Sequence, residues 1–192
     1  MTDSTNPTSD SFSFVDAEHA VLKFWESSEV FKQSLAQTEN GAPYIFYDGP
    51  PFATGLPHHG HLVGSILKDA VPRYFTMKGR YVQRRFGWDC HGLPIEHEID
   101  KSLGMSSIEA VEKLGVKGYN DQCRGIVQRY TSEWQKTINR IGRWVDFDND
   151  YKTMDPWYME SVWWVVKQLW EKDLIYRGEK VVPFSTALGT IL

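Results

Sequence analysis

Tyr44 to His61 read YIFYDGPPFATGLPHHGH, and this stretch decides how the chain folds. The pattern over Ala42 to Tyr47 reads as a buried strand. Asp48-Gly-Pro-Pro is a turn signal. His58-His59-Gly60-His61 then opens a helix. Two imidazoles three residues apart at a helix start, His58 and His61, can both face one bound anion. The helix N-terminus adds unpaired N–H groups and the positive end of its dipole. Gly60 has no Cβ, so a flat or bulky ligand can approach the backbone there. These are the features wanted by ATP phosphates whose charge moves during a reaction.

Working outward, His61 to Lys78 reads as a helix with Leu62, Ile66, Ala70 and Tyr74 in step. Pro72 is a possible kink within it, and Gly79 stops it. Tyr81 to Phe86 reads as a second strand. A strand–helix–strand unit of this length implies a parallel βαβ crossover. Next comes GWDCHGLP, Gly87 to Pro94. In open parallel sheets ligands sit at the carboxyl ends of strands, which puts Asp89 on the same edge as the histidines. Asp89 can pair with a cationic group of a ligand. Alone, it reads equally well as a capping residue in a tight turn.

Residues 1 to 12 read as a disordered tail. Phe14 to Leu35 has a helix pattern that breaks near Ser27-Ser28. Asp89 to Lys101 reads as a loop turning into a short helix, and Leu103 to Lys117 as a polar, glycine-punctuated excursion. Tyr119 to Trp144 is the strongest helix pattern. Asp155-Pro156 resembles a helix start, and that helix runs to about Lys172. Val181 to Phe184 reads as a strand.

The 192 residues suit one domain or one domain with an appendage, and a 41% hydrophobic content that includes eight Trp, nine Tyr and ten Phe supplies a core. A formal net charge of −4 excludes a broadly basic nucleic-acid surface. Arg73, Lys78, Arg80, Arg84 and Arg85 form a local basic cluster that reads as a solvated face. Cys90 and Cys123 form no framework and suit a reducing compartment. No apolar run spans a bilayer, and the first residues match neither a secretory signal nor a transit peptide. The cytoplasm and no membrane partner follow as expectations. A metal pair at His58 and His61, extended by His91 and His97, is the weaker reading, because no His-Glu-x-x-His or cysteine pair accompanies it. The tryptophans of the later helices, Trp163, Trp164 and Trp170 among them, read as packing residues. Neither GxxxxGK[ST] nor GxGxxG occurs, so ATP would bind by another route.

These residues carry a family resemblance. PFATGLPHHGH resembles the HIGH signature of class I aminoacyl-tRNA synthetases. DGPPFATG, HHGH and RRFGWDCHGLPIEHEIDK together resemble the isoleucyl-tRNA synthetase family, in its eukaryotic cytosolic form. The likeness continues through GRWVDFDNDYKTMDPWYMESVWW and YRGEKVVPFST, about Phe14 to Thr186. It implies that His58 and His61 stabilise ATP phosphates, that adenine packs over Gly60, that Pro50 lines the isoleucine pocket and that Asp89 binds the α-amino group. ATP is then a substrate accompanied by Mg2+. Isoleucine and tRNA(Ile) are the partners, and no zinc is expected in this segment. His59 stands where relatives carry an apolar or aromatic residue and is assigned no role.

The resemblance also implies a fold: α/β, the first half of a Rossmann-type catalytic domain with parallel strands over 42–192, preceded by an N-terminal helical extension over 13–41. The family's Lys-Met-Ser-Lys-Ser loop, editing insertion and anticodon-binding domain are not in this sequence. The expectation is therefore an N-terminal piece of an isoleucine–tRNA ligase, inactive alone. The rival readings are a truncated paralogue acting as a binding or regulatory module and a metal-dependent hydrolase.

Overall fold

A computed structural model describes residues 12–187, 190 and 191. The tail read over 1–12 lies outside the described residues, apart from Phe12. The described residues divide after Thr153 into two units.

The first unit opens with two helices, α1 (Phe14–Ser27) and α2 (Val30–Thr38). Ser13 caps α1 by accepting the Asp16 amide, and Glu29, at φ 47°, makes the expected break. α2 packs against the helix that follows it, and α1 reaches the far end of the long helix α5 (Ser107–Arg140), where Glu18 pairs with Arg140 at 2.8 Å. There Trp25 lies edge-on to Trp144 at 5.3 Å, and the Arg73 guanidinium lies 3.7 Å from the Trp144 ring centre. Such cation–aromatic contacts are worth from about 0.5–1 kcal/mol when exposed to about 2 kcal/mol or more when desolvated.

The helix α3 (His59–Met77) continues through Pro72 and ends where Gly79 takes φ 78°. The strands beside it differ from expectation. Ala42 to Tyr47 forms no strand. Residues 42–53 meet the next segment at isolated parallel bridges, Pro43 to Tyr81 and Phe52 to Asp89. Each bridge is a hydrogen-bonded step: Tyr44 N donates to Tyr81 O at 2.9 Å, and Asp89 N to Pro51 O at 2.8 Å. The prolines between them cannot donate, so the ladder cannot close along the whole run. The parallel sense of the crossover is nonetheless present.

The strand read at Tyr81 to Phe86 is shifted to β1 (Arg85–Trp88). It pairs in parallel with β2 (Asp146–Lys152), a strand the sequence reading missed. Gly87 is required at this junction: a Cβ there would fall 2.1 Å from Cζ of Tyr151. The segment between them is also corrected. Residues 103–117 are no excursion but the end of α4 (Leu93–Leu103) and the start of α5. Ser106 and Glu109 close a capping box at its first turn. Gly115, at φ 70°, bends α5.

The core lies between α5 and the two strands. Phe86, Trp88 and Trp134 are buried there, with Val82, Ile95 and Ile138 around them. Burying side chains of this size stabilises by about 1.5–3 kcal/mol each. The basic cluster is mostly built in rather than solvated. Arg73 is held by Asp69 at 2.6 Å, and Arg85 donates to the carbonyls of Asn149 and Asp150. Arg84 is buried, and burial pushes its pKa down to about 10 against the pull of Asp69.

The second unit holds α6 (Pro156–Glu171), then β3 (Phe184–Ser185), antiparallel to β4 (Thr190–Ile191). Asp155 is the N-cap residue of α6 and Pro156 its first helical residue. The strand read from Val181 begins only at Phe184. Trp163, Trp164 and Trp170 are exposed, so they are not the packing residues expected.

Candidate active site

The His-x-Gly-His segment starts α3 in an uncommon way. His58 is the N-cap residue, and its Nδ1 accepts the Gly60 amide at 3.1 Å. The His58 amide in turn donates to Nδ1 of His61 at 3.2 Å. This is a reciprocal capping box with imidazoles in place of hydroxyl and carboxylate. An accepting nitrogen carries no proton, so each ring keeps its proton on Nε2 while these bonds hold. The rings stack at 3.7 Å between centres. Two N–H donors therefore stand at the positive end of the helix, whose Gly60 and His61 amides are already taken by His58. Burial, His58 and Lys68 all lower the pKa of His61, which favours this neutral form.

Gly60 has a steric reason as well. A Cβ there would lie 3.1 Å from Cε1 of His58, so the ring would have to shift by a few tenths of an ångström to admit it. On the inner side His61 leans on Trp134 at 4.8 Å. Trp134 donates through Nε1 to the carbonyl of Gly55 at 3.0 Å, holding the loop that leads to the histidines.

Pro50, Gly60 and His61 line one cleft of about 310 Å³, together with Gly49, Lys68 and Arg143. His58 is outside its lining but stacked on His61. Asp89 is also outside the lining, one backbone step away: its amide donates to Pro51, next to Pro50, and its carbonyl accepts from Ala53 at 3.2 Å. Its carboxylate has no hydrogen-bond or ion-pair partner among the described residues, and the side chain is half-buried. Pro50, Gly60, His61 and His58 are thus brought together directly, and Asp89 through the backbone.

Sequence reasoning missed the charged floor of this cleft. Asp48 lies against Arg143 and 2.6 Å from Lys68. The Asp-Gly-Pro-Pro turn signal explained Asp48 too easily, and its cationic partner Arg143 is 95 residues away. Among the described residues no three His, Cys, Asp or Glu side chains come together as a metal site. His91 instead contacts Thr153 at 3.3 Å, and His97 is exposed.

A parallel α/β layout with a paired-histidine helix start defines a class. Residues 20–192 match the class I tRNA synthetases of the I, L, M and V group, and the chain belongs to that family. Among its curated relatives, the isoleucine–tRNA ligase of Treponema pallidum (strain Nichols) is 57% identical over 97% of this chain and 17% of its own length. The cytoplasmic isoleucine–tRNA ligase of Arabidopsis thaliana is 59% identical over 94% of this chain and 15% of its own. That of Mus musculus is 56% identical over 95% of this chain and 14% of its own. The relatives thus span bacteria and eukaryotes, and the chain spans about a sixth of their length. A leucyl enzyme of Agrobacterium radiobacter K84, solved in a ternary complex with tRNA and LeuAMS, superposes with a TM-score of 0.60. It is 20% identical and covers 91% of this chain and 20% of its own, a likeness of fold.

Proposed function

We propose that this chain supplies the nucleotide and amino-acid face of an isoleucine–tRNA ligase. At its native length the gene product forms isoleucyl-adenylate from ATP and isoleucine, then transfers isoleucine to tRNA(Ile). One observation carries the reading: His58 and His61 both accept backbone amides through Nδ1, which leaves Nε2 as the donor atom, at a helix N-terminus beside a cleft. In adenylate formation a carboxylate oxygen of isoleucine bonds to the α-phosphorus. The bond from that phosphorus to the bridging oxygen breaks, and pyrophosphate leaves with the electron pair. Fixed N–H donors at the phosphates stabilise the charge that shifts in this step.

In this reading Gly60 receives adenine and Pro50 borders the isoleucine side chain. Asp89 binds the substrate's α-ammonium with a carboxylate that has no hydrogen-bond or ion-pair partner among the described residues. Among the described residues no three His, Cys, Asp or Glu side chains gather as a metal site, and Mg2+ would accompany the triphosphate of ATP. A cytoplasmic location rests on the cytoplasmic relatives of plant, mouse and yeast.

The test is isoleucine-dependent ATP–pyrophosphate exchange by the gene product at its native length. Truncating one partner of a close charged pair costs about 2–5 kcal/mol. Asp89→Ala should therefore raise the KM for isoleucine at least about 30-fold. An unchanged KM removes Asp89 from the site, and exchange driven by another amino acid would replace isoleucine.

A further inference from the structure

The roles assigned above leave unused a buried ion pair, Asp48 with Arg143. The Asp48 side chain is 9% exposed and that of its partner Arg143 is 6% exposed. Arg143 follows α5 and precedes β2. Its Nη2 donates to Asp48 Oδ2, and its Nη1 reaches Ser65 of α3 at a long 3.5 Å. Lys68, also on α3, donates to the carbonyl of Gly49 at 2.6 Å. The same ammonium lies 2.6 Å from Asp48 Oδ1 without hydrogen-bond alignment, so that contact is Coulombic. The Tyr151 hydroxyl of β2 donates to the Asp48 carbonyl at 2.9 Å.

One residue is thus tied to three places: α3, the segment after α5, and β2. Asp48 immediately precedes Gly49 and Pro50. Lys68, Ser65 and Arg143 line the same cleft as Pro50, Gly60 and His61. A buried carboxylate held by two cations is costly to move, because any displacement leaves charges unpaired out of water. We propose that Asp48, clamped by Lys68 and Arg143, is a positioning residue for the reaction. It fixes the distance between the Pro50 loop and the histidine-bearing start of α3, and so the register of amino acid against ATP. The proposal rests on the ligase reading for what the two walls hold, though not for the clamp itself.

The test uses the gene product at its native length with Asp48→Glu, Asp48→Asn and Lys68→Met. Glu keeps the charge but lengthens the arm. Positioning requires that Asp48→Glu hold a melting temperature near that of the parent while kcat/KM for isoleucine falls about 100-fold, the penalty for misplacing reactants by about 1 Å. A purely structural carboxylate would let activity track stability, and a Glu variant with parental rate overturns the proposal. Hydrogen exchange supplies a readout free of activity. In Asp48→Asn the amides of Ala53 and Asp89, which join the loop to β1, should lose protection at least tenfold. Amides in the middle of α5 should keep theirs. If Asp48→Asn fails to fold, Lys68→Met should show the same pattern. Unchanged protection at Ala53 and Asp89 overturns the clamp. A parent protein with no isoleucine-dependent exchange would sink the ligase reading instead, and the exchange pattern would still decide the clamp.

Discussion

His61 accepts the His58 amide through Nδ1 and leans on Trp134, so its ring is fixed before any ligand arrives. A preorganised donor contributes most where charge develops and little to ground-state binding. His61→Ala should slow adenylate formation roughly 100- to 1000-fold, the loss seen when a single such donor is removed, and change ATP affinity far less. Single-turnover adenylate formation beside equilibrium ATP binding separates the two. An affinity that falls as far as the rate would remove His61 from transition-state stabilisation. The residue types of this site were legible in the sequence, since a His-x-Gly-His at a helix start names its own donors. Their use of Nδ1 as caps was not, because hydroxyls and carboxylates normally fill those positions. Asp48 was illegible for a different reason: nothing local in a sequence tells a turn aspartate from one whose counter-ion arrives 95 residues later.

Gly87 decides whether β1 and β2 can pair as they do. The Tyr151 ring lies over it, where a Cβ would come within 2.1 Å of Cζ, and the Tyr151 hydroxyl reaches on to Asp48. Gly87→Ala should cost about 1–3 kcal/mol by overpacking, and the melting temperature should fall by about 2–12 °C. Gly125→Ala, in α5 with nothing within 4 Å of the added methyl, is the control and should be neutral or slightly stabilising. Equal losses at both positions would mean that helix and strand propensities, not the Tyr151 contact, govern Gly87. At this scale the helices were the legible part: α1, α2, α3 and α6 fall within a few residues of their patterns. The strands were less so. β2, DFDNDYK, has the composition of a loop and becomes a strand only because β1 offers it a partner. The start of α5 was legible and overlooked, since Ser106 and Glu109 spell a capping box that its glycines obscured.

The apolar surface left uncovered bears on what the 192 residues can do alone. Within the first unit, α3 exposes Val63, Leu67 and Met77 at 60%, 63% and 80%. In the second unit α6 carries exposed Trp163, Trp164 and Trp170 at 71%, 62% and 63%. Contiguous apolar area of this kind normally marks a surface that something covers. The site has a matching deficiency. β1 and β2 form a sheet of two strands, whereas a nucleotide crevice in an α/β sheet needs strands and loops on both sides. The cleft beside the histidines is therefore reached by water, which screens the donors the reaction depends on. Residues 1–192, purified free of any host synthetase, should bind a hydrophobic dye such as ANS strongly. They should support no isoleucine-dependent pyrophosphate exchange above background. Exchange that is present and vanishes with His58→Ala would show that this segment closes its own active site despite its exposed apolar surface.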